Sequence, residues 1–242
     1  LPIEKSDLKN FEVFDEANGI DSQTISSVES ISSKATESEV VKDERPILLI
    51  VEDHKEVREF IGSIWKGRYR IFEAENGKVG MKKALETIPD IVITDVRMPI
   101  CDGITLCNNL KTDERTSHIP VILLTAGVGE ENELKGLISG ADDFITKPFK
   151  TRILQKRVEN LIQTRKSLRN RYSQEVVLKA TDISITKTDE VFLQKVQDVL
   201  DEKLSNSEFD STTFCKLVGM SRMQLHRKLM ALTGLSTTAF IR

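Results

Sequence analysis

Four short apolar runs, each ending in a polar residue, constrain this chain more than any other feature. They are Ile47–Val51 before Glu52-Asp53, Ile91–Thr94 before Asp95, Val121–Leu124 before Thr125, and Phe144–Thr146 before Lys147-Pro148. Unbroken Ile/Leu/Val runs of this length suit strands covered on both faces, and such strands belong to parallel sheets. Open parallel sheets hold ligands just beyond the carboxyl ends of their strands. Three carboxylates, a hydroxyl and an ammonium are therefore expected at one edge.

The remaining chain supplies the connections such a sheet needs. From Pro46 onwards, amphipathic segments Lys55–Trp65, Gly77–Thr87, Gly103–Lys111, Glu130–Ser139 and Lys150–Arg171 alternate with the apolar runs, and Tyr69–Ala74 reads as a further strand. Alternation of this kind predicts an α/β domain over residues 46–171, a doubly wound sheet of five parallel strands. The helix at Lys150–Arg171 is long and basic, suiting a solvated surface, a connector to the next domain, or both. A polar connector over 172–188 follows.

From 189 to 242 the period is helical throughout. Val191, Phe192, Val196, Val199, Leu200 and Leu204 form one apolar stripe. Ser211–Val218 and Ser221–Leu232 read as short helices joined at Gly219, with Ser221 and Gln224 as a capping box and Gly234 as a stop. Two short helices around a glycine turn make a helix-turn-helix unit, so a small all-α domain is expected here. Residues 1–45, rich in Ser, Glu and Asp, read as an acidic linker.

Charge is unevenly distributed. Residues 1–45 carry eleven acidic and five basic side chains, whereas 211–242 carry five basic and none acidic, which points to a nucleic-acid partner at the C-terminal end. Cys101, Cys107 and Cys215 lack metal-ligand spacing and suit reduced thiols in the cytoplasm. No apolar run approaches the length of a membrane span, so no membrane contact is expected of these residues. A first residue other than Met suggests a fragment or a processed chain.

The expected pocket has a definite chemistry. Glu52, Asp53 and Asp95 would repel one another without a cation, and hard oxygen donors with room for water suit Mg²⁺. Mg²⁺ beside a carboxylate nucleophile is the arrangement for phosphoryl transfer. Asp95 follows a central strand and is the natural nucleophile; Lys147 and Thr125 would meet phosphoryl oxygens. A single Asp at a strand end is more often a helix cap, but the joint occurrence at four strand ends makes coincidence improbable.

The segments Ile47–Asp53, Thr94–Pro99 with Asp102-Gly103, Leu124–Ala126 and Gly140–Phe149 together resemble a two-component response-regulator receiver domain. That resemblance implies a flavodoxin-like sheet in the order 2-1-3-4-5. It implies Asp95 as phosphoacceptor, Glu52, Asp53 and the Arg97 backbone carbonyl as further Mg²⁺ ligands, and Thr125 and Lys147 as switch and phosphate-binding residues. It also implies Phe144 as the aromatic switch residue and a cis peptide at Pro148. A histidine kinase would donate the phosphoryl group, and repacking of Thr125 and Phe144 would bias the surface of the fourth helix, last strand and fifth helix.

Residues 214–242, with Gly219–Gly234 and Phe240–Arg242, resemble an AraC-type DNA-binding domain of which only the first helix-turn-helix is present. Leu225, Leu229 and Leu232 would be core, while Arg222, Met223, Gln224, His226 and Arg227 would meet DNA. With its second unit absent, tight operator binding is not expected. Leu1-Pro-Ile resembles the closing strand of a histidine-kinase ATP-binding domain. The whole is then the cytoplasmic C-terminal part of a hybrid sensor kinase, its parent anchored in the inner membrane. The expected function is a phosphorylation-switched, dimeric transcription regulator; the alternative is a phosphorelay or interaction receiver whose helical end serves assembly. A phosphatase using an Asp-x-Asp nucleophile is disfavoured because Arg97 stands two positions after Asp95.

Overall fold

The order of elements follows from the alternation of buried strands and one-sided helices, and the computed structural model describes it for residues 45–126, 140–172, 186–203 and 209–241. Strands β1 (Ile47–Val51), β2 (Arg70–Ala74), β3 (Ile91–Asp95), β4 (Val121–Thr125) and β5 (Asp143–Thr146) form one sheet in the order β2-β1-β3-β4-β5. All four pairings are parallel. The central strands β1, β3 and β4 are buried along their whole lengths, as their unbroken apolar runs require.

Helices α1 (Lys55–Ile64), α2 (Gly77–Thr87) and α3 (Gly103–Thr112) supply the cover between strands. One apolar layer joins β1, β3 and β4 side chains to Ala84, Leu106 and Leu110 of α2 and α3. The opposite layer joins the alternate side chains to Ile61, Trp65, Leu154 and Val158, from α1 with its C-cap and from α4 (Thr151–Tyr172). The segment expected at Glu130–Ser139 lies outside the described residues, as do the linker and kinase-like strand expected within 1–44 and most of the 172–188 connector.

Backbone approach, rather than side-chain packing, decides Gly103. Asp102 caps α3 by accepting from the Thr105 amide at 2.6 Å. A Cβ at Gly103 would fall on the Asp95 carbonyl oxygen. Gly103→Ala is therefore expected to destabilise the domain by about 2–3 kcal/mol and to displace the Asp95 loop, measurable as a lower urea midpoint.

The C-terminal part is helical: α5 (Lys187–Lys203), α6 (Ser211–Val218), α7 (Arg222–Thr233) and α8 (Thr237–Ile241). Gly219 and Gly234 take left-handed conformations with φ of 80° and 77°, ending α6 and α7. The Ser221–Gln224 capping box expected from sequence is formed in both directions. Phe192, Val196, Leu200, Phe214, Leu225, Leu229 and Leu232 make a core of their own. Val191 is corrected: it is 68% exposed, because at 100° per residue it falls off the face on which Phe192, Leu193, Val196 and Leu200 gather.

Candidate functional site

Each candidate side chain is placed by the end of a buried strand. Glu52 follows β1, and its amide donates to the Ala74 carbonyl of β2 at 3.0 Å, extending the ladder by one residue. Arg58 from α1 donates to the Glu52 carbonyl at 2.5 Å and so fixes the turn that separates Glu52 from Asp53. Adjacent side chains on a straight strand would point to opposite faces. The turn instead leaves Glu52 1% exposed and Asp53 at the rim.

Asp95 closes β3 and pairs in register with Leu124 of β4, while Thr125 pairs with Thr146 of β5. The Lys147 amide donates to the Thr125 carbonyl at 2.6 Å, which brings Lys147 over the sheet edge. The Lys147-Pro148 peptide is cis, as expected. From there the ammonium lies 2.8 Å from Glu52 Oε2 and 2.9 Å from Asp95 Oδ1. The Thr94 hydroxyl donates to the Asp95 carbonyl at 3.1 Å and steadies the loop behind it.

Three of the expected pocket residues, Glu52, Asp95 and Lys147, are thus in direct contact, with Asp53 beside them and Thr125 closing the next strand. Phe144 is half-buried on β5 and packs against the layer that contains Leu123 and Met98. Arg97 is exposed in the loop after β3. His54 has no part in the sequence reading, yet its Nδ1 lies 2.9 Å from Asp53 Oδ1 and 3.5 Å from Glu52 Oε1. Its only sequence signal is adjacency to two acids.

Burial pushes the Glu52 carboxyl above its ordinary range, against the opposing charge of Lys147. Burial also works against the Lys147 ammonium, but the Asp95 and Glu52 carboxylates outweigh it and hold the group charged. One ammonium cannot neutralise three carboxylates drawn into a partly desolvated corner. Glu52, Asp53 and His54 each offer a ligand atom within 4.8 Å of one another. The donor set is hard, oxygen-rich and short of positive charge, so it fits Mg²⁺.

The residues expected to meet DNA divide in two. Arg222, Met223 and His226 are exposed on α7. Gln224 and Arg227 instead turn towards the sheet domain, donating to the carbonyls of Leu85 at 3.1 Å and Ile88 at 2.9 Å. The basic stripe of α4 also has structural duties: Arg165 pairs with Asp142 at 2.5 Å, and Arg169 reaches the Met230 carbonyl at 3.5 Å. No helix among the described residues is long and apolar enough to cross a membrane.

Comparison with known proteins bears on the same residues. Residues 48–159 match the family described as response regulator receiver domain. A curated relative from Formosa agariphila, histidine kinase P4, is 36% identical over 211 residues, 87% of this chain. The chain spans 15% of that protein's length, and the match is too long to be confined to residues 48–159. Among solved structures, the receiver domain of a signal transduction histidine kinase from Syntrophus aciditrophicus is 38% identical; the match covers 49% of this chain and 91% of that one, with a TM-score of 0.47. A sensor histidine kinase receiver from Pseudomonas aeruginosa, solved with magnesium coordinated in its active-site cleft, is 26% identical; it covers 49% of this chain and 98% of that one, with a TM-score of 0.47.

Proposed function

Because residues 48–159 belong to the response regulator receiver family of two-component signalling, we propose that Asp95 is the phosphoacceptor of this chain. Receiver domains take phosphoryl groups from histidine kinases and bind Mg²⁺ in their acidic site. The observation that carries the reading is the contact of Lys147 with both Glu52 and Asp95 at the carboxyl edge of the sheet. An Asp95 carboxylate oxygen attacks the phosphorus of a phosphohistidine; the P–N bond breaks and the departing imidazole takes up a proton. Lys147 and the Thr125 hydroxyl hold oxygens of the incoming phosphoryl group. Glu52, Asp53, Asp95 and the Arg97 carbonyl would hold Mg²⁺, which when bound would neutralise charge on the transferring group.

The phosphoryl group adds up to two negative charges and three acceptor oxygens beside Thr125. Thr125 moves towards it, and Phe144 takes up the vacated space. In this reading the switch governs DNA binding by residues 189–242 through Arg222, Met223, Gln224, His226 and Arg227, with a homodimer as the binding form. The parent is a hybrid kinase that supplies its own phosphodonor in the cytoplasm. The long match to a histidine kinase supports that parentage.

A second reading, a phosphorelay or interaction receiver with an assembly role for its helical end, draws on the engagement of Gln224 and Arg227 with the sheet domain. Arg227→Ala separates the two, since only the regulator loses DNA binding.

Labelling with radioactive acetyl phosphate tests the phosphoacceptor assignment. A hydroxylamine-sensitive label is expected with Mg²⁺, falling about a hundredfold on chelation. Equal labelling in excess EDTA overturns the assignment of the acidic pocket.

A further inference from the structure

A set of hydrogen bonds ties the helical part to the receiver. Lys228 is fully buried and donates to the Glu114 carbonyl, to Ser117 Oγ at 2.8 Å and to Asp189 Oδ1 at 2.8 Å. Ser117 donates in turn to Asp189 at 2.7 Å, and Thr188 to the Lys111 carbonyl at 3.2 Å. With Gln224 on Leu85 and Arg227 on Ile88, these bonds fasten α5 and α7 to the ends of α2 and α3 and to the segments that follow them, before β3 and β4. That is the amino end of the sheet, opposite the Asp95 pocket.

Two features suit a docking that can open rather than one shared core. The apolar clusters stay separate: the helical part buries its own, and neither receiver cluster includes any of its residues. Polar contacts between separately folded cores are characteristic of domains that move apart. The buried Lys228–Asp189 pair also lies wholly within the helical part, so separation leaves it paired and hydrated.

We propose that the docked arrangement is a closed state in which the receiver and a DNA duplex compete for one edge of α7, with Ser117 as the receiver's latch on the Lys228–Asp189 pair. The proposal rests on the DNA-binding reading given above. A helix that enters a major groove is flanked by duplex on both sides. Here the space beside Gln224 and Arg227 is taken by the end of α2 and its following loop. With its Nη1 held at the Ile88 carbonyl, the Arg227 guanidinium is drawn towards the receiver rather than towards an incoming duplex. Arg222, Met223 and His226 remain free to make first contact.

The test uses the whole chain with Ser117→Glu, which sets bulk and a like charge against Asp189, and Ser117→Ala as a milder companion. Retained acetyl phosphate labelling shows that the receiver folds. Hydrogen exchange over 85–90, 113–119 and 222–233 reports docking, and fluorescence anisotropy of a short random-sequence duplex at low salt reports binding. About tenfold faster exchange with about tenfold tighter duplex binding in Ser117→Glu, and a smaller shift of both in Ser117→Ala, is the expected result. Unchanged exchange in a labelled Ser117→Glu protein overturns the latch. Faster exchange with equal duplex binding overturns the competition and leaves the DNA reading standing. Faster exchange with no duplex binding by any form overturns the DNA reading itself, and the competition with it.

Discussion

Asp95→Asn removes the hydroxylamine-sensitive phosphoryl label, by at least about a hundredfold, while the protein stays folded. The amide keeps the size of the side chain and its place at the end of β3, where the backbone is fixed by the Val96 amide bond to the Leu124 carbonyl at 2.9 Å. What it loses is the nucleophilic oxygen and one of three negative charges around Lys147. Relief of like-charge repulsion between Asp95 and Glu52 offsets part of the lost attraction to Lys147. The thermal midpoint should therefore stay within a few degrees of the parent, as expected for a change of about 1 kcal/mol. Radiolabelling beside a melting curve checks both halves. A persistent label in the variant would move the nucleophile elsewhere, Asp53 being the first candidate.

The sequence made the sheet and its pocket legible because both follow from local rules. Strands buried on both faces need unbroken apolar runs, and the polar residue that ends each run has one place to go. Glu52, Asp95, Thr125 and Lys147 share a neighbourhood because each ends such a run, and the Ser221–Gln224 box is readable from its spacing alone. The residues that escaped depend on contacts between distant segments. Gln224 and Arg227 look like any exposed basic stripe until the end of α2 is set against them. Lys228 looks like part of the same stripe, yet it is the most deeply buried cation of the helical part, since its partner Asp189 is 39 residues away. Val191 sits at the edge of the apolar stripe of α5, and the packed face is centred on Phe192, Val196 and Leu200 instead. His118 carried no signal at all.

His118 gives the receiver a steep acid sensitivity. Burial, with Lys228 next and Arg165 and Lys111 adding to it against the pull of Asp189, lowers its pKa to about 3. An unfolded histidine titrates near pH 6.5, so the unfolded chain binds a proton that the native chain refuses. Stability from this group is complete above pH 6.5 and is lost as pH falls towards 3. The loss reaches about 2 kcal/mol by pH 5 and about 4 kcal/mol by pH 3, a large part of a domain's usual 5–15 kcal/mol. Asp189, held low by Lys228 and Ser117 in spite of its burial, gives way only in the lower part of that window. The upper part, between pH 7 and 5, is therefore the place to isolate His118. Urea unfolding should show the wild type losing about 2 kcal/mol relative to His118→Leu across that interval, since groups common to both, such as the raised Glu52 carboxyl, cancel in the comparison. An equal pH dependence in both proteins would mean that His118 accepts its proton in the folded state.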